Sequence, residues 1–278
     1  MRYSHTASGF VKVYACDNRF VADFSRFEGN PDFVLSLARG LTVIEAFQDR
    51  TEGATVAEIA AATALSRASV RRLLMTLEFL GYATRTGSVY RLGSRVLRLG
   101  FSFLSSQSLP ILATPILEEI SASLHESSSL SVLEGDEIVY LARSAANRVL
   151  SVGLSVGSRL PAYCTSMGRV LLAALPEAEL AGYLERAVLH PRTPKTITLK
   201  PALQAEIVRV REQGYSLVDE ELELGLRSLA VPVMTRAGRV VAAMNTGVHA
   251  SRVEPEDLLG RMLPELQRGA LALGRALS

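Results

Sequence analysis

Residues 55–92, TVAEIAAATALSRASVRRLLMTLEFLGYATRTGSVYRL, constrain this chain more than any other stretch. They spell a short helix, a tight turn, a second helix studded with arginine, and a small β-hairpin. That order is the winged helix-turn-helix pattern, in which the second helix enters the major groove of double-stranded DNA. Thr55 and Glu58 form a T-x-x-E capping box, which ties down the free amides of a helix start. Val56, Ile59 and Ala60 give that helix an apolar face, Ala64-Leu65 supplies the turn, and Ser66 suits the N-cap of the next helix. Val70, Leu73, Leu74 and Leu77 recur at the helical period and must face a core. Arg67, Ala68, Ser69, Arg71, Arg72, Met75 and Thr76 are left outside.

Residues near the start of a recognition helix reach base edges, which makes Arg67, Ser69, Arg71 and Arg72 the leading candidates. Arginine pairs bidentately with guanine, and serine serves a base or a phosphate. Thr55, Ser66, Ala68 and Thr76 complete the DNA-facing set. Gly81 is placed to close the recognition helix. Thr86-Gly87-Ser88 reads as a hairpin turn, flanked by Arg85 and Arg91 for the phosphate backbone or the minor groove. Upstream, Phe33, Val34, Leu37, Leu41, Ile44 and Phe47 predict a first helix packed behind the other two.

The charge pattern agrees. Residues 66–98 hold seven arginines against the single acid Glu78, a net +6, while the whole chain carries only +2. A charge run is ordinarily a solvated helix face. Here it coincides with a structural motif, and concentrated positive charge supplies non-specific DNA affinity through counterion release.

At 278 residues the chain suits two domains, and 48% apolar with 21% charged residues describes an ordered globular protein. Its apolar runs fall far short of the ~20 residues a membrane helix needs. The opening MRYSHTASGFVKVYACDNRF lacks the apolar region of a signal peptide. Cys16 and Cys164 make no disulfide framework, which fits a reducing cytoplasm. His5, His125, His190 and His249 are scattered without metal-ligand spacing. No nucleophile elbow, phosphate-cradling glycine loop or dinucleotide fingerprint occurs. The chain therefore reads as no enzyme, with no metal and no cofactor.

Residues 94–106, SRVLRLGFSFLSS, predict an apolar helix that either docks on its own domain or pairs with a second copy, pairing being favoured. Beyond it, Ile111, Leu112, Ile116, Leu117, Ile120 and Leu124 mark one helix face. Strands follow at 129–134 and 137–143 across Gly135-Asp136, then near Leu150–Val152. A helix over 165–175 is capped by Thr165 or Ser166, and Pro176 begins another at its permitted first turn. A helix over 201–213 ends at Gly214; strands near 215–218, 227–234 and 239–246 and a terminal helix from Pro255 complete the pattern. Runs of strands with helices at the ends suggest an antiparallel sheet flanked by helices.

The chain resembles the IclR family of bacterial transcription regulators from Phe33 to its C-terminus. The resemblance rests on FVLSLARGLTVIEAF (33–47), the helix-turn-helix and YRLGSRVLRLG (90–100). In the second half it rests on SVGSRLPAYCTSMGRVLLA (155–173), GYSLVDEELELGLRSLAVPV (214–233) and VVAAMNTGVHASR (240–252). The FV-x-SLARGL opening and the AMN…HASR ending look more narrowly like the β-ketoadipate branch, whose members control protocatechuate and 4-hydroxybenzoate catabolism.

The resemblance implies an α+β chain: an N-terminal extension (1–30), a winged helix-turn-helix (31–93), a linker helix (94–107) and a GAF-like effector domain (108–278). It implies a homodimer or tetramer on a double-stranded operator. The effector would be a small organic acid such as protocatechuate, 4-hydroxybenzoate or β-ketoadipate. The family pocket lies between the sheet and the loop–helix that begins at Cys164-Thr165-Ser166-Met167-Gly168. Matching positions are Leu160, Ser166, Met167, Gly168, Asp219, Leu226, Ser228, Asn245 and Gly247. Some members hold small oxo-acids through serines where this chain has Asn245 and Gly247, which speaks against a glyoxylate-like ligand and leaves room for an aromatic acid.

Physically, the amides of Ser166 to Gly168 at a helix start would attract an anion. Ser228 and Asn245 add neutral donors, and Arg143, Arg159 and His249 are placed to add positive charge. Plainer readings stand beside these: Ser166 as an N-cap, Asp219 in a solvated acidic loop, Arg143 on a surface strand, Cys164 as packing. The alternative for the whole chain is a ligand-independent DNA-binding protein whose second domain serves assembly.

Overall fold

In a computed structural model of the chain, residues 24, 29–48, 50–99, 108–145 and 154–277 are described. Residues 1–23 and 25–28 of the expected extension, residues 100–107 of the expected linker helix and the expected strand near Leu150–Val152 lie outside them. The chain divides into two compact units, with the division between residues 106 and 107. Among the described residues no helix is long and apolar enough to cross a membrane.

The first unit holds α1 (Leu35–Glu45), β1 (Ala54–Thr55), α2 (Val56–Thr63), α3 (Arg67–Phe79), β2 (Ala83–Thr86) and β3 (Val89–Leu92). Its core gathers Val43, Phe47, Ile59, Val70, Leu74, Leu77 and Tyr90. The face expected for α1 needs correction. Thr42 and Val43 are its buried residues, while Val34, Leu37 and Leu41 stand exposed. Apolar residues lie around more than half of this helix, so periodicity alone does not select the stripe that meets α3. Nor does the sequence announce β1, which pairs antiparallel with β3 through Ala54↔Tyr90 and Thr55↔Val89. Gly53 makes that approach feasible: a Cβ there would sit 2.4 Å from the Tyr90 carbonyl oxygen. After β3, Ser94–Val96 form a 3-10 turn and residues 97–99 are helical.

The second unit is a six-stranded antiparallel sheet of order β6-β5-β4-β9-β8-β7. Its strands are β4 (Ser127–Glu134), β5 (Glu137–Ser144), β6 (Arg159–Pro161), β7 (Ser216–Asp219), β8 (Leu226–Met234) and β9 (Val240–His249). Helices α4 (Ser108–Leu124) and α8 (Leu263–Ala276) cover one face, over Leu130, Leu229, Val231, Ala242 and Met244. A π-helical turn, Leu258–Met262, leads into α8. Helix α5 (Ser166–Ala173) lies on the other face, backed by α6 (Glu177–Arg186) and α7 (Lys200–Gln213), over Ile138, Tyr140, Leu160, Ala230 and Ala243. Two cores on two faces follow from period-two alternation along each strand. On α4, Leu117, Ile120 and Leu124 are buried as expected, but Ile111 is exposed. Pro176 is the N-cap of α6 rather than a residue of its first turn.

Candidate functional site

The reading head is built from local rules. The Thr55 hydroxyl accepts the Glu58 amide at 3.3 Å, and the Glu58 carboxylate accepts the Thr55 amide at 2.8 Å, closing the capping box. The Thr55 amide, joined by the Thr55 hydroxyl donating to the same carboxylate oxygen at 2.8 Å, holds the Glu58 carboxyl below its ordinary range. Because Thr55 also lies on β1, the same residue starts α2 and ties it to the hairpin. Ala64, at φ +57, makes the left-handed turn between α2 and α3. Ser66 caps α3 by accepting the Ser69 amide at 3.2 Å, and its hydroxyl also meets that of Ser69. At the far end Tyr82 N–H donates to Leu77 O and Gly81 N–H to Glu78 O, a Schellman stop with Gly81 at φ +77.

Arg67, Ala68, Arg71, Arg72, Met75 and Thr76 are exposed on α3, and Ser69 is half-buried. The Thr76 hydroxyl donates to its own helix at Arg72 O, 2.9 Å away. The arginines fall into two groups. Arg85 pairs with Glu78 at 3.7 Å and lies over the Tyr90 ring, Arg91 pairs with Glu52 at 3.7 Å, and Arg95 donates to Leu80 O at 2.7 Å. Arg67, Arg71 and Arg72 have no acidic partner among the described residues. Arg67 even stands in the first turn of α3, which holds no acid, where the helix dipole disfavours a cation. Three uncompensated cations at a helix start cost stability and create a positive field.

In the second unit, Ser131 Oγ donates to Met167 Sδ at 3.1 Å, which sets the start of α5 against β4. On that same sheet face lie Asn245 of β9, opposite Ser129, and Gly247, opposite Ser127 and Ser228. Ser166 and Asn245 are buried, and neither Ser166 Oγ nor Asn245 Oδ1 has a protein hydrogen-bond partner. Buried polar atoms are nearly always paired, so two unpaired ones on facing elements mark a place where a polar ligand belongs. Leu160 and Met167 are buried on this face, and Leu226 packs against the same core cluster. Gly247 is open: a Cβ there would meet only Leu226 Cδ1, at 3.8 Å.

The geometry divides the remaining expected residues. Gly168 serves close packing, since a Cβ would lie 2.2 Å from Ala162 O, and its amide already donates to the capping Thr165 at 3.2 Å. The amides left for an anion are those of Ser166 and Met167. Asp219 is not brought to this face. Its register partner is Arg227, so alternation sends it to the side opposite Ser228. There it accepts Arg227 Nε at 2.6 Å and Lys195 Nζ at 3.0 Å, bonds that hold its carboxyl below the ordinary range. Arg159 is held at the outer edge by Glu137 and Glu134, each at 2.7 Å. His249 Nδ1 is engaged by Ser251, whose hydroxyl lies 2.7 Å away and whose amide donates to it at 3.3 Å. Cys164 is buried, and desolvation pushes its thiol up to about 11, so it stays protonated and acts as packing. Sequence reasoning missed the Arg169–Glu221 pair that fastens α5; an arginine inside an apolar helix, SMGRVLLA, was the available signal.

Comparison with known proteins decides what this pairing of units is. The IclR helix-turn-helix domain matches residues 36–87, and the family described as bacterial transcriptional regulator IclR C-terminal matches residues 101–275. The chain belongs to the IclR family. Among its relatives is the Pca regulon regulatory protein of Pseudomonas putida, 53% identical over 86% of this chain and 83% of the relative. The p-hydroxybenzoate hydroxylase transcriptional activator of Acinetobacter baylyi is 38% identical over 86% of this chain and 90% of its own. A solved putative transcriptional regulator from Rhodococcus sp. RHA1 is 48% identical with TM-score 0.79, covering 87% of this chain and 97% of the other. An IclR homolog from Microbacterium hydrocarbonoxydans, solved in complex with 4-hydroxybenzoate, superposes with TM-score 0.74 at 28% identity, over 86% of this chain and 97% of that one. The α+β fold, the helix-turn-helix and the role as a DNA-binding transcription regulator, not an enzyme, are those of the family.

Proposed function

We propose that this IclR-family regulator controls aromatic-acid catabolism of the β-ketoadipate type in response to a small organic acid. The acid binds in the second unit, between the sheet and the start of α5. The observation that carries this is the pair of unpartnered buried atoms, Ser166 Oγ at the start of α5 and Asn245 Oδ1 on the sheet face where Ser131 meets Met167. Leu160, Met167, Leu226, Ser228 and Gly247 line the same site, with Asp219 outside it. Support for the ligand class comes from the names of the Pca and p-hydroxybenzoate relatives and from the 4-hydroxybenzoate complex of the Microbacterium homolog.

In this reading residues 31–93 read the operator, 94–107 link and 108–278 sense, and the regulator works in the cytoplasm as a homodimer or a tetramer. Arg67, Ser69, Arg71 and Arg72 face bases and phosphates; Thr55, Ser66, Ala68, Thr76, Arg85 and Arg91 border them. A dimer presents two recognition helices, and a ligand that alters their spacing changes operator affinity as a coupling free energy. The test is thermal shift with protocatechuate, 4-hydroxybenzoate and β-ketoadipate, since a ligand of the native state must stabilise it. A shift with one acid, together with a changed affinity for the adjacent promoter, is the expected result. Operator binding without any shift would assign the second unit to assembly alone.

A further inference from the structure

Arg143 lies at the penultimate position of β5 and is half-buried. Its cross-strand neighbour on β4 is Ser129, and the neighbour of Ser129 on β9 is Asn245. The three side chains form one row across three strands, on the face that α5 covers. Arg143 Nη1 donates to Ser129 Oγ at 3.3 Å, and among the described residues the rest of the guanidinium has no acceptor and no acidic partner.

Arg169, Arg227 and Arg159 of this unit are matched by acids, Glu221, Asp219, and Glu134 with Glu137 respectively. Among the described residues the electrostatic partner of Arg143 is the Tyr140 phenol, which burial pushes up to about 12, so it stays neutral. Burial also pulls Arg143 below its ordinary value, the sign of a desolvated and uncompensated cation. Across Ser129 in the same row, Asn245 is 9% exposed and its Oδ1 is unpaired. A guanidinium with free N–H edges is complementary to a planar carboxylate. A neighbouring primary amide serves a hydroxyl or a keto oxygen, because it both donates and accepts.

We propose that Arg143 binds the carboxylate of the effector and that Asn245, two strands away in the same row, binds the next oxygen of the same molecule. The acid end then points to the β5 side of the site rather than to the start of α5. The proposal rests on the reading that this unit binds an organic acid.

The test uses the purified full chain and two acids, each paired with a neutral counterpart. These are 4-hydroxybenzoate with 4-hydroxybenzamide, and β-ketoadipate with its dimethyl ester. Calorimetric titration of the wild type should show binding of an acid at least about tenfold tighter than of its neutral counterpart. Arg143→Gln should weaken the acid by about tenfold or more, with little change for the neutral compound, and should melt no lower than wild type without ligand. Arg143→Lys should recover part of the loss. Which acid binds distinguishes an aromatic hydroxy acid from an aliphatic keto acid. Equal affinity of Arg143→Gln and wild type for a bound acid overturns the proposal and leaves the effector reading intact. Equal binding of acid and neutral counterpart by the wild type overturns it even if the glutamine variant does not fold. No binding of 4-hydroxybenzoate, β-ketoadipate or protocatechuate to the wild type overturns both.

Discussion

Arg169 and Glu221 form a buried bidentate ion pair, Nη1 to Oε1 at 2.7 Å and Nη2 to Oε2 at 2.6 Å. Arg169 Nε donates to Tyr163 O at 2.9 Å, and Glu221 Oε2 also accepts the Ile197 amide at 3.0 Å. The Glu221 carbonyl in turn accepts the Thr196 hydroxyl at 2.6 Å. One side chain of α5 thus holds three separate segments: the loop before the helix, residues 193–197 and the acidic turn before β8. The helix that starts at Ser166 cannot shift without disturbing all of them.

Breaking that pair from one side should be severe. Glu221→Gln removes the bidentate partner of a buried guanidinium and leaves it only the longer contact to Glu206, at 3.6 Å, so we expect a loss of about 3 kcal/mol from the stability of the second unit. The double change Arg169→Met with Glu221→Leu should cost less than Glu221→Gln alone, because the buried guanidinium leaves with its main partner and Glu206 keeps its pair with Arg209. Urea denaturation of the three proteins, followed by far-UV circular dichroism, checks the order. A Glu221→Gln protein as stable as wild type would show that the pair contributes little.

The two groups of arginines should separate in DNA binding. Arg71→Ala, which removes an unpaired cation from the exposed face of α3, should weaken a specific operator by about 1–3 kcal/mol if it reads a base. Arg91→Ala, whose cation already faces Glu52, should lose affinity uniformly across sequences with a shallower salt dependence. Fluorescence anisotropy on the operator and on scrambled DNA at several salt concentrations distinguishes them. A sequence-independent loss for Arg71→Ala would assign it to phosphate.

Alkaline pH should destabilise the second unit. Burial raises the Cys164 thiol from 9.0 to about 11 and the Tyr140 phenol from 10.0 to about 12. Both groups are neutral when protonated, so the folded state resists losing their protons. Below pH 9 the two states bind the same protons and nothing is lost. Between pH 9 and 11 the unfolded thiol ionises first, and stability falls by about 2–3 kcal/mol for Cys164. Cys164→Ala should flatten the decline between pH 9 and 10, before the Tyr140 contribution begins. Thermal melts from pH 7 to 11 measure it, and an unchanged slope in the variant would reject the assignment.

Much of the reading head was legible because its determinants are local. The Thr55–Glu58 capping box, the Ser66 cap, the Ala64 turn and the Gly81 stop each involve residues within a few positions of one another. So does the Gly135 turn that joins β4 to β5. Their stereochemistry is the same wherever the surrounding fold puts them. Of the expected first-helix face, Ile44 and Phe47 do meet the core, but Leu37 and Leu41 give way to Val43, and the position of α3 decides between them.

The sites show the same boundary. That Ser166 starts a helix and that Arg67, Arg71 and Arg72 crowd another follows from spacing along the chain. The unsatisfied state of Ser166 Oγ, the turning of Asp219 toward Arg227 and the unmatched charge of Arg143 do not. Each depends on strand register, which brings Ser129 beside both Arg143 and Asn245, more than 100 positions apart. A one-residue slip in that register would send each of these side chains to the other face. The chain order therefore specifies caps, turns, charge and family. Pairing across the sheet decides which polar groups meet and which are left for a ligand.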